Sequence, residues 1–463
     1  MTPLRELGTW SGGNTPSKAN DAYWIGGSIP WVSPKDMKVD EISSSEDRIT
    51  ARALEDGRVS MVPAGSVLFV TRSGILAHTL PVAVTKLPVT INQDLKALSP
   101  RADVLPKYVA HAVRSASQRI LKECSKHGTT VASVDTNALL DFEVPMASLD
   151  EQRRIVAEIE KQFSRLDEAV ANLQRVKARL KQHKAAVLQA AVEGLLVPNE
   201  TSLPQQNAND LVDGKALLRA MLSERRDRWK GRGKYVEPRA PESTVEFELA
   251  EGWAVASVQQ LSWLVEYGTS AKASEDATGV PVLRMGNLFE GEISFDQLKY
   301  LPKDHNEFPR LLLAFGDVLF NRTNSPELVG KTAVFKRNSP DCSFASYLIR
   351  VRTLSGFHPE FLAAYINSVH GRRWIGSVVT QQVGQANVNG TKLQALAVPL
   401  PPLAEQHRIV AEVDRRLSIV REVEAEVEAN LKRSQALRQA ILAKAFGAPP
   451  VSHVKPQAAN KSN

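Results

Sequence analysis

The sequence predicts an α+β protein: two domains with curved, mainly antiparallel sheets, separated by two long helices that form an antiparallel coiled coil. Three observations predict it. The chain repeats itself, the best-repeated stretch has heptad spacing, and the flanking stretches alternate short β-branched runs with turn formers. The 463 residues match about three pieces of roughly 150 residues, or two domains plus connecting structure.

The repeat is the strongest signal. Glu151–Glu158 reads EQRRIVAE and Glu405–Glu412 reads EQHRIVAE, an offset of 254 that continues without a gap through Ala191/Ala445. Upstream the same offset pairs Val134 with Val388, Leu139 with Leu393, and Val144-Pro145 with Val398-Pro399. Further back it becomes 251, where GSVLFVTRS (Gly65–Ser73) faces GDVLFNRTN (Gly316–Asn324).

The shared stretch is helical. Val156, Ile159, Phe163, Leu166, Val170, Leu173, Leu180 and Val187 mark a seam, with Val410, Val413, Leu417, Val420, Val427, Leu431 and Ile441 in the second copy. Spacings that alternate between three and four predict a coiled coil. Lys177, Lys184, Glu424, Ser434 and Arg438 interrupt it, and they are candidate docking points for partner helices. Asp150 is the expected N-cap, and Gly194 and Gly447 the expected stops.

Outside the helices, strands are expected at Val67–Val70, Val82–Thr85, Val318–Phe320, Thr332–Phe335 and Leu348–Val351, with turn formers between them. Helical stretches are expected at Lys107–Lys122 and Glu360–Ile375. The division that follows is 1–145 first domain, 146–197 first spacer helix and 198–240 a polar basic connector with a short helix at Gly214–Trp229. Residues 241–399 then form the second domain, 400–447 the second spacer helix and 448–463 a disordered tail.

Composition excludes several classes. Two cysteines are too few for a disulfide scaffold and point to a reducing, cytoplasmic setting. No apolar run is long enough to span a membrane. HExxH, CxxC, GxSxG and GxGxxG are all missing. SPELVGKT (Ser325–Thr332) misses a phosphate-binding loop by its first glycine, and the strand expected after it would leave no helix N-terminus for a phosphate. No catalytic or metal-ligating set is expected, so the chain reads as a binder.

The candidate contacts are polar side chains at strand ends. Arg72 and Ser73 in the first copy face Asn321, Arg322, Thr323, Asn324 and Ser325 in the second. A second patch joins Gln381, Gln382, Gln385 and Asn387 with Thr129 and Thr130 opposite, and a third holds Asn92 and Gln93. Arg pairs bidentately with guanine, Asn or Gln with adenine, and Ser or Thr with bases or phosphates. Such residues also close ordinary turns, but corresponding loops that differ in these positions fit a scaffold duplicated to read two sequences. A coiled-coil spacer tens of ångströms long suits duplex sites about one turn apart, roughly 34–36 Å.

These residues carry a resemblance. VPMASLDEQRRIVAEIE and VPLPPLAEQHRIVAEVD each open a long helix behind a variable domain. With SGGNTPS, TINQDLKAL, GDVLFNRTNSPELVGKTAVF and ELAEGWAV, the chain resembles the specificity subunit of type I restriction–modification systems over nearly its whole length. The resemblance implies two target recognition domains, each reading half of a bipartite site in double-stranded DNA. It implies two methyltransferase subunits docked on the chain, and endonuclease/translocase subunits in the full complex. S-adenosylmethionine, ATP and magnesium would bind those partners and none would bind this chain. Glu151, Gln152 and Arg154, with Glu405, Gln406 and Arg408, are the expected partner contacts.

Other readings are a recognition subunit whose nuclease and methyltransferase share one partner chain, and a coiled-coil scaffold. One departure concerns the lead-in LAEGWAVASVQQL, which the first domain lacks. That domain is expected either to miss an edge element or to receive compensation from the C-terminal part of the second copy.

Overall fold

The computed structural model describes residues 1–126, 131–203, 213–231, 233–325, 328–382 and 385–447. It divides into two compact units, Met1–Gln174 with the chain from Val427 onward, and Arg175–Glu426. The first long helix, Leu149–Val192, and the second, Leu403–Phe446, each contribute one half to either unit.

The first unit is built on a five-stranded sheet in the order Gly8–Gly12, Leu95–Pro100, Val67–Val70, Val82–Thr85, Glu41–Ile42. All pairs are antiparallel except the last. Val67–Val70 is buried at every residue, because the helix Pro106–Ser115 covers one face with Val109, Ala112 and Val113. The second unit repeats the plan with Ser262–Tyr267, Leu348–Thr353, Val318–Asn321 and Thr332–Val334, covered by Pro359–Asn367.

Each expected helical stretch is two helices. Pro106–Ser115 gives way to Ser117–Cys124, and Pro359–Asn367 to Val369–Val378. In the second unit the break is chemical. Ser368 adopts extended backbone and its hydroxyl accepts from Gly371 N at 3.4 Å, starting a new helix. The connector helix runs Gly214–Asp227, two residues shorter than expected.

Both units contain a helix pair of opposite chain sense. In the first, Ile159 and Phe163 bury against Leu442, and Arg438 pairs with Asp167 at 3.2 Å while lying 4.3 Å over the Phe163 ring. In the second, Lys184 joins Glu424 at 2.7 Å and Glu290 at 2.5 Å. Burial disfavours the Lys184 charge, but the two carboxylates more than compensate and hold its pKa above the ordinary lysine value. Three of the polar seam breaks are therefore occupied inside the units, not left open for partner helices.

Leu442 is buried where the seam predicts Ile441. A straight helix drifts about 20° per heptad from a strict 3.5 repeat, and over four heptads that displaces the buried stripe by nearly one residue. Ser148, not Asp150, caps the first helix: its hydroxyl accepts from Glu151 N at 3.4 Å and Asp150 lies in the first turn. Gly194 and Gly447 end the helices with φ of +76° and +65°, the left-handed backbone that glycine adopts without penalty.

The first unit's edge element is present but shorter. Thr2–Pro3 pairs with Glu143–Val144, where the second unit pairs Ala254–Ser257 with Ala397–Leu400. Just before the longer strand, Trp253 packs on Phe361 with centroids 6.0 Å apart. In the first unit it is Phe446, from the end of the second long helix, that packs on Tyr108 at 5.2 Å. The C-terminal helix thus supplies in the first unit an aromatic contact like the one Trp253 supplies in the second. Among the described residues no helix is long and apolar enough to cross a membrane. The tail from 448 lies outside the described residues.

Candidate nucleic-acid interface

One strand-end backbone is built twice. In the first unit Thr71 N donates to Asp94 O at 2.8 Å, Val134 N to Thr71 O at 2.8 Å, and Asn14 N to Ile91 O at 3.0 Å. In the second, Arg322 N donates to Tyr347 O at 3.0 Å, Val388 N to Arg322 O at 2.9 Å, and Thr269 N to Phe344 O at 2.9 Å. Gly13 and Gly268 permit this closure. A Cβ there would stand 2.1 Å from Asn92 O in one unit and 2.2 Å from Phe344 O in the other.

These bonds match Thr71 with Arg322, Arg72 with Thr323, and Asp94 with Tyr347. The two arginines therefore occupy neighbouring positions of an extended segment, and successive side chains leave such a segment on opposite faces. The sequence groups them as one feature; the structure separates them.

Around Arg72, Asp94 is the hub. Arg72 Nε donates to Asp94 Oδ1 at 2.6 Å, Asn92 Nδ2 donates to Asp94 Oδ2 at 3.1 Å, and Asp94 N donates to Asn92 Oδ1 at 3.1 Å. Asn92 is buried, while Arg72 and Gln93 are exposed, with Gln93 accepting from the Thr15 hydroxyl. Ser73 N donates to Ala132 O at 3.1 Å. Of the residues expected in this unit, Arg72, Ser73, Asn92 and Gln93 meet at one tip, and Thr129 and Thr130 lie outside the described residues.

In the second unit Arg322 is half-buried, its guanidinium 4.9 Å over the Tyr267 ring. It donates to Ser346 O and Asn387 Oδ1 at 3.4 Å each, and Nε is buried without a hydrogen-bond partner among the described residues. Thr323 and Asn324 pair with Asn387 and Ala386 in a small sheet that continues through Gln385 to Gln382 and Gln381. Two expected patches thus share strands of one small sheet. Ser325 N donates to Asn324 Oδ1 at 2.8 Å.

Asn321 departs from expectation. It is fully buried, donating to Leu328 O at 3.4 Å while its backbone carbonyl accepts from Gly330 N at 2.7 Å. It closes its own loop from within. The stretch after that loop, Thr332–Val334, is a strand, which removes the helix a phosphate-binding loop would need.

Sequence reasoning missed Tyr267, Tyr347 and Lys96. A Cβ on Gly12 would stand 2.7 Å from the Lys96 ammonium, so the lysine folds over a bare glycine where the second unit carries Tyr267. The signal was available: extending the repeat through the glycines matches Gly12 with Tyr267.

The repeated helix-start motif has a different role from the one expected. Gln152 Oε1 accepts from Leu105 N at 2.8 Å, and its Nε2 donates to Asp103 O at 3.0 Å and Ala147 O at 2.9 Å. Gln406 does the same with His358 N at 2.7 Å, Gly356 O at 3.2 Å and Pro401 O at 2.9 Å. Both are buried, and each fastens its long helix to the domain before it. Glu405 is buried too, accepting from the Trp253 indole and Glu200 N at 3.0 Å each. Burial raises its pKa above the ordinary glutamate value, with those two bonds and Arg408 opposing. Arg408 pairs with Glu200 at 2.5 Å, and Glu151 with the exposed Arg154 at 2.6 Å. Of the six expected partner contacts, Gln152, Glu405 and Gln406 are held inside, Glu151 and Arg408 are half-buried, and Arg154 is exposed.

Comparison with known proteins places this architecture. Over 158 residues the chain is 44% identical to the EcoR124I/EcoR124II specificity subunit of a type I restriction enzyme of Escherichia coli, covering 34% of this chain and 39% of that one. Over 351 residues it is 24% identical to the EcoKI specificity subunit of Escherichia coli K12, covering 75% of this chain. The chain spans 66% of that relative's length. A chain solved in work on complex assembly and conformational transition of the type I R-M system shares the fold, with a TM-score of 0.64, 19% identity and 97% of both chains covered. The family model described as type I restriction modification DNA specificity domain matches residues 1–182 and again 251–432, so the chain belongs to that family.

Proposed function

We propose that this chain is the DNA-recognition subunit of a type I restriction–modification complex, reading a bipartite, asymmetric target with its two strand-end sites. The observation that carries this reading is the tip built twice on one backbone with two side-chain sets. Arg72, Gln93 and Lys96 stand at one, and Arg322 on Tyr267, Asn324 and Asn387 at the other. Polar and cationic groups at a rigid strand end suit base edges, and two sets suit two half-sites.

In this reading residues 1–145 and 241–399 are the recognition domains, and 146–197 and 400–447 the spacer helices on which methyltransferase subunits dock. Endonuclease/translocase subunits complete the assembly in the cytoplasm. The chain itself is non-catalytic, and the chemistry resides on its partners.

The test is methylome sequencing of a methylation-free host expressing this chain with the neighbouring methyltransferase. A split, adenine-methylated motif is expected, and its absence would sink the proposal. Arg322→Ala should then cost about 1–3 kcal/mol of discrimination at one half-site and none at the other. An equal loss on all sequences would make Arg322 a phosphate contact.

A further inference from the structure

We infer that the exposed cations Lys215, Arg219, Lys230 and Lys234 form a second, sequence-independent DNA contact, a phosphate-binding arm separate from the strand-end sites. The inference rests on the DNA-reading proposal above. Charge points to it first. Residues 213–239 hold nine basic and four acidic residues, a net charge of +5, out of +7 for the whole chain. Residues 1–145 carry a net +1 and 240–402 a net −2. Duplex binding draws much of its affinity from phosphate neutralisation, and nearly neutral domains supply little of it.

The structure sorts those nine cations. Arg225 turns inward to the carbonyls of Gln259, at 2.5 Å, and Ser262. Arg226 pairs with Glu237, and Arg228 pairs with Glu224 at 3.1 Å while lying 5.8 Å over Trp263. Arg232 lies outside the described residues. The other five, Lys215, Arg219, Lys230, Lys234 and Arg239, are exposed and make no ion pair among the described residues.

The arm is held in place. Asp213 caps the helix by accepting from Ala216 N at 2.7 Å, and Gly214 N donates to Gly252 O at 2.7 Å. Leu217 and Met221 bury in the second unit's core. Lys215 and Arg219, four residues apart, share one face of the helix and point away from that core. Beyond the helix the chain wraps on itself: a Cβ on Gly231 would stand 2.1 Å from the Trp229 ring. Trp229 packs edge-on with Tyr235 at 5.8 Å and is still 48% exposed. Lys230 and Lys234 lie between these two aromatic residues in the sequence. Lysines present point charges that hold phosphates without reading bases, and an exposed indole beside them suits the sugar-lined wall of a groove.

The test uses the full chain assembled with its methyltransferase partner, and the quadruple variant K215Q/R219Q/K230Q/K234Q. None of the four side chains caps, packs or lies at a strand-end site. Affinity is measured across a salt series for a random-sequence duplex and for one bearing the methylome-defined motif. The variant should lose the same factor on both, and its slope of log affinity against log salt should shrink by about 0.9 for each phosphate it no longer neutralises. Preference for the motif should not change. An unchanged slope overturns the arm. So does an unchanged slope accompanied by weaker methyltransferase assembly, which would assign these charges to an acidic protein face. If the wild-type complex shows no preference for the motif, the DNA-reading proposal fails, while the slope still decides the arm.

Discussion

The two units share a backbone and differ in how they neutralise its interior. In the first, Ser66 and Ser99 face each other across neighbouring strands with hydroxyls 2.9 Å apart. The strand register matches these positions to Asp317 and Arg352 in the second, where Arg352 donates to the Asp317 carboxylate at 2.7 and 2.9 Å. Arg350 replaces the first unit's Ala97 and is 1% exposed, held by Asp317 at 3.3 Å, by Glu266, and by the carbonyls of Leu312 and Arg310 at 2.7 and 2.9 Å. One scaffold thus tolerates a small neutral pair or a charged network at the same place. What it does not vary is the glycine closure at the tip and the glutamine at the helix start. Geometry is kept by a few close contacts, and the chemistry between them is free to change.

The contrast is broken most directly at its centre. Asp317→Ala removes one of the two carboxylates that hold the buried Arg350 and the one that holds Arg352, and removing one member of a buried ion pair costs about 3–5 kcal/mol. Ser66→Ala removes one neutral hydrogen bond and should cost about 0.5–1.5 kcal/mol. Hydrogen exchange followed separately in the two sheets measures both. Equal losses would mean that the charged network adds no dependence beyond that of the hydroxyl pair.

The glutamines sharpen what is shared. Gln152→Ala and Gln406→Ala each take the side-chain partner from one backbone N–H and two carbonyls, for an expected loss of up to about 2–4 kcal/mol. The two clamps have the same bonds, but Asp103 is exposed and Ala147 half-buried where Gly356 and Pro401 are buried, so the Gln406→Ala loss should be the larger, because water reaches the carbonyls freed in the first unit. Protection of the first two helical turns, 149–155 or 403–409, reports each one. A variant with full protection but weakened methyltransferase assembly would return these residues to the docking role expected from the sequence.

That reassignment marks what the sequence can and cannot convey. The repeat locates Gln152 and Gln406 because both copies keep them, but identity in two copies does not say whether a side chain points inward or outward. Val67–Val70 and Val82–Thr85 are legible to the residue, since an unbroken apolar run between turn formers has few other solutions. The break at Ser368 is not legible, because its cap acts only once the chain has already turned. Arg72 and Arg322 look equivalent in composition and are one position apart in register, a shift that strand alternation converts into opposite faces. Asn321 reads as a base-contacting amide, but the strand Val318–Asn321 carries it one residue into the core.

The smallest expected effect is also the most specific to one unit. Glu405 is buried, and burial raises its pKa above the ordinary value of 4.5 against the opposing bonds from Glu200 N and Trp253. A carboxyl whose pKa is higher folded than unfolded favours the fold in its protonated form. Its stabilising contribution is complete below about pH 4.5, where the unfolded chain also begins to protonate, and it is lost as pH rises through the raised folded value. Glu151, the matching residue of the first unit, is 39% exposed and pairs with Arg154 on the surface. Glu405→Gln should therefore remove a decline in protection of residues 403–409 that the wild type shows between pH 4.5 and neutrality. A decline that survives in Glu405→Gln would assign it to another carboxyl of the second unit whose pKa burial raises, such as Glu360, and not to His358, which burial and the nearby His407 hold at a pKa of about 4. That histidine acts in the opposite sense: its neutral form suits the fold, and stability is lost as pH falls from 6.5 toward 4. Carboxyl and histidine are therefore separable by the sign of the slope alone.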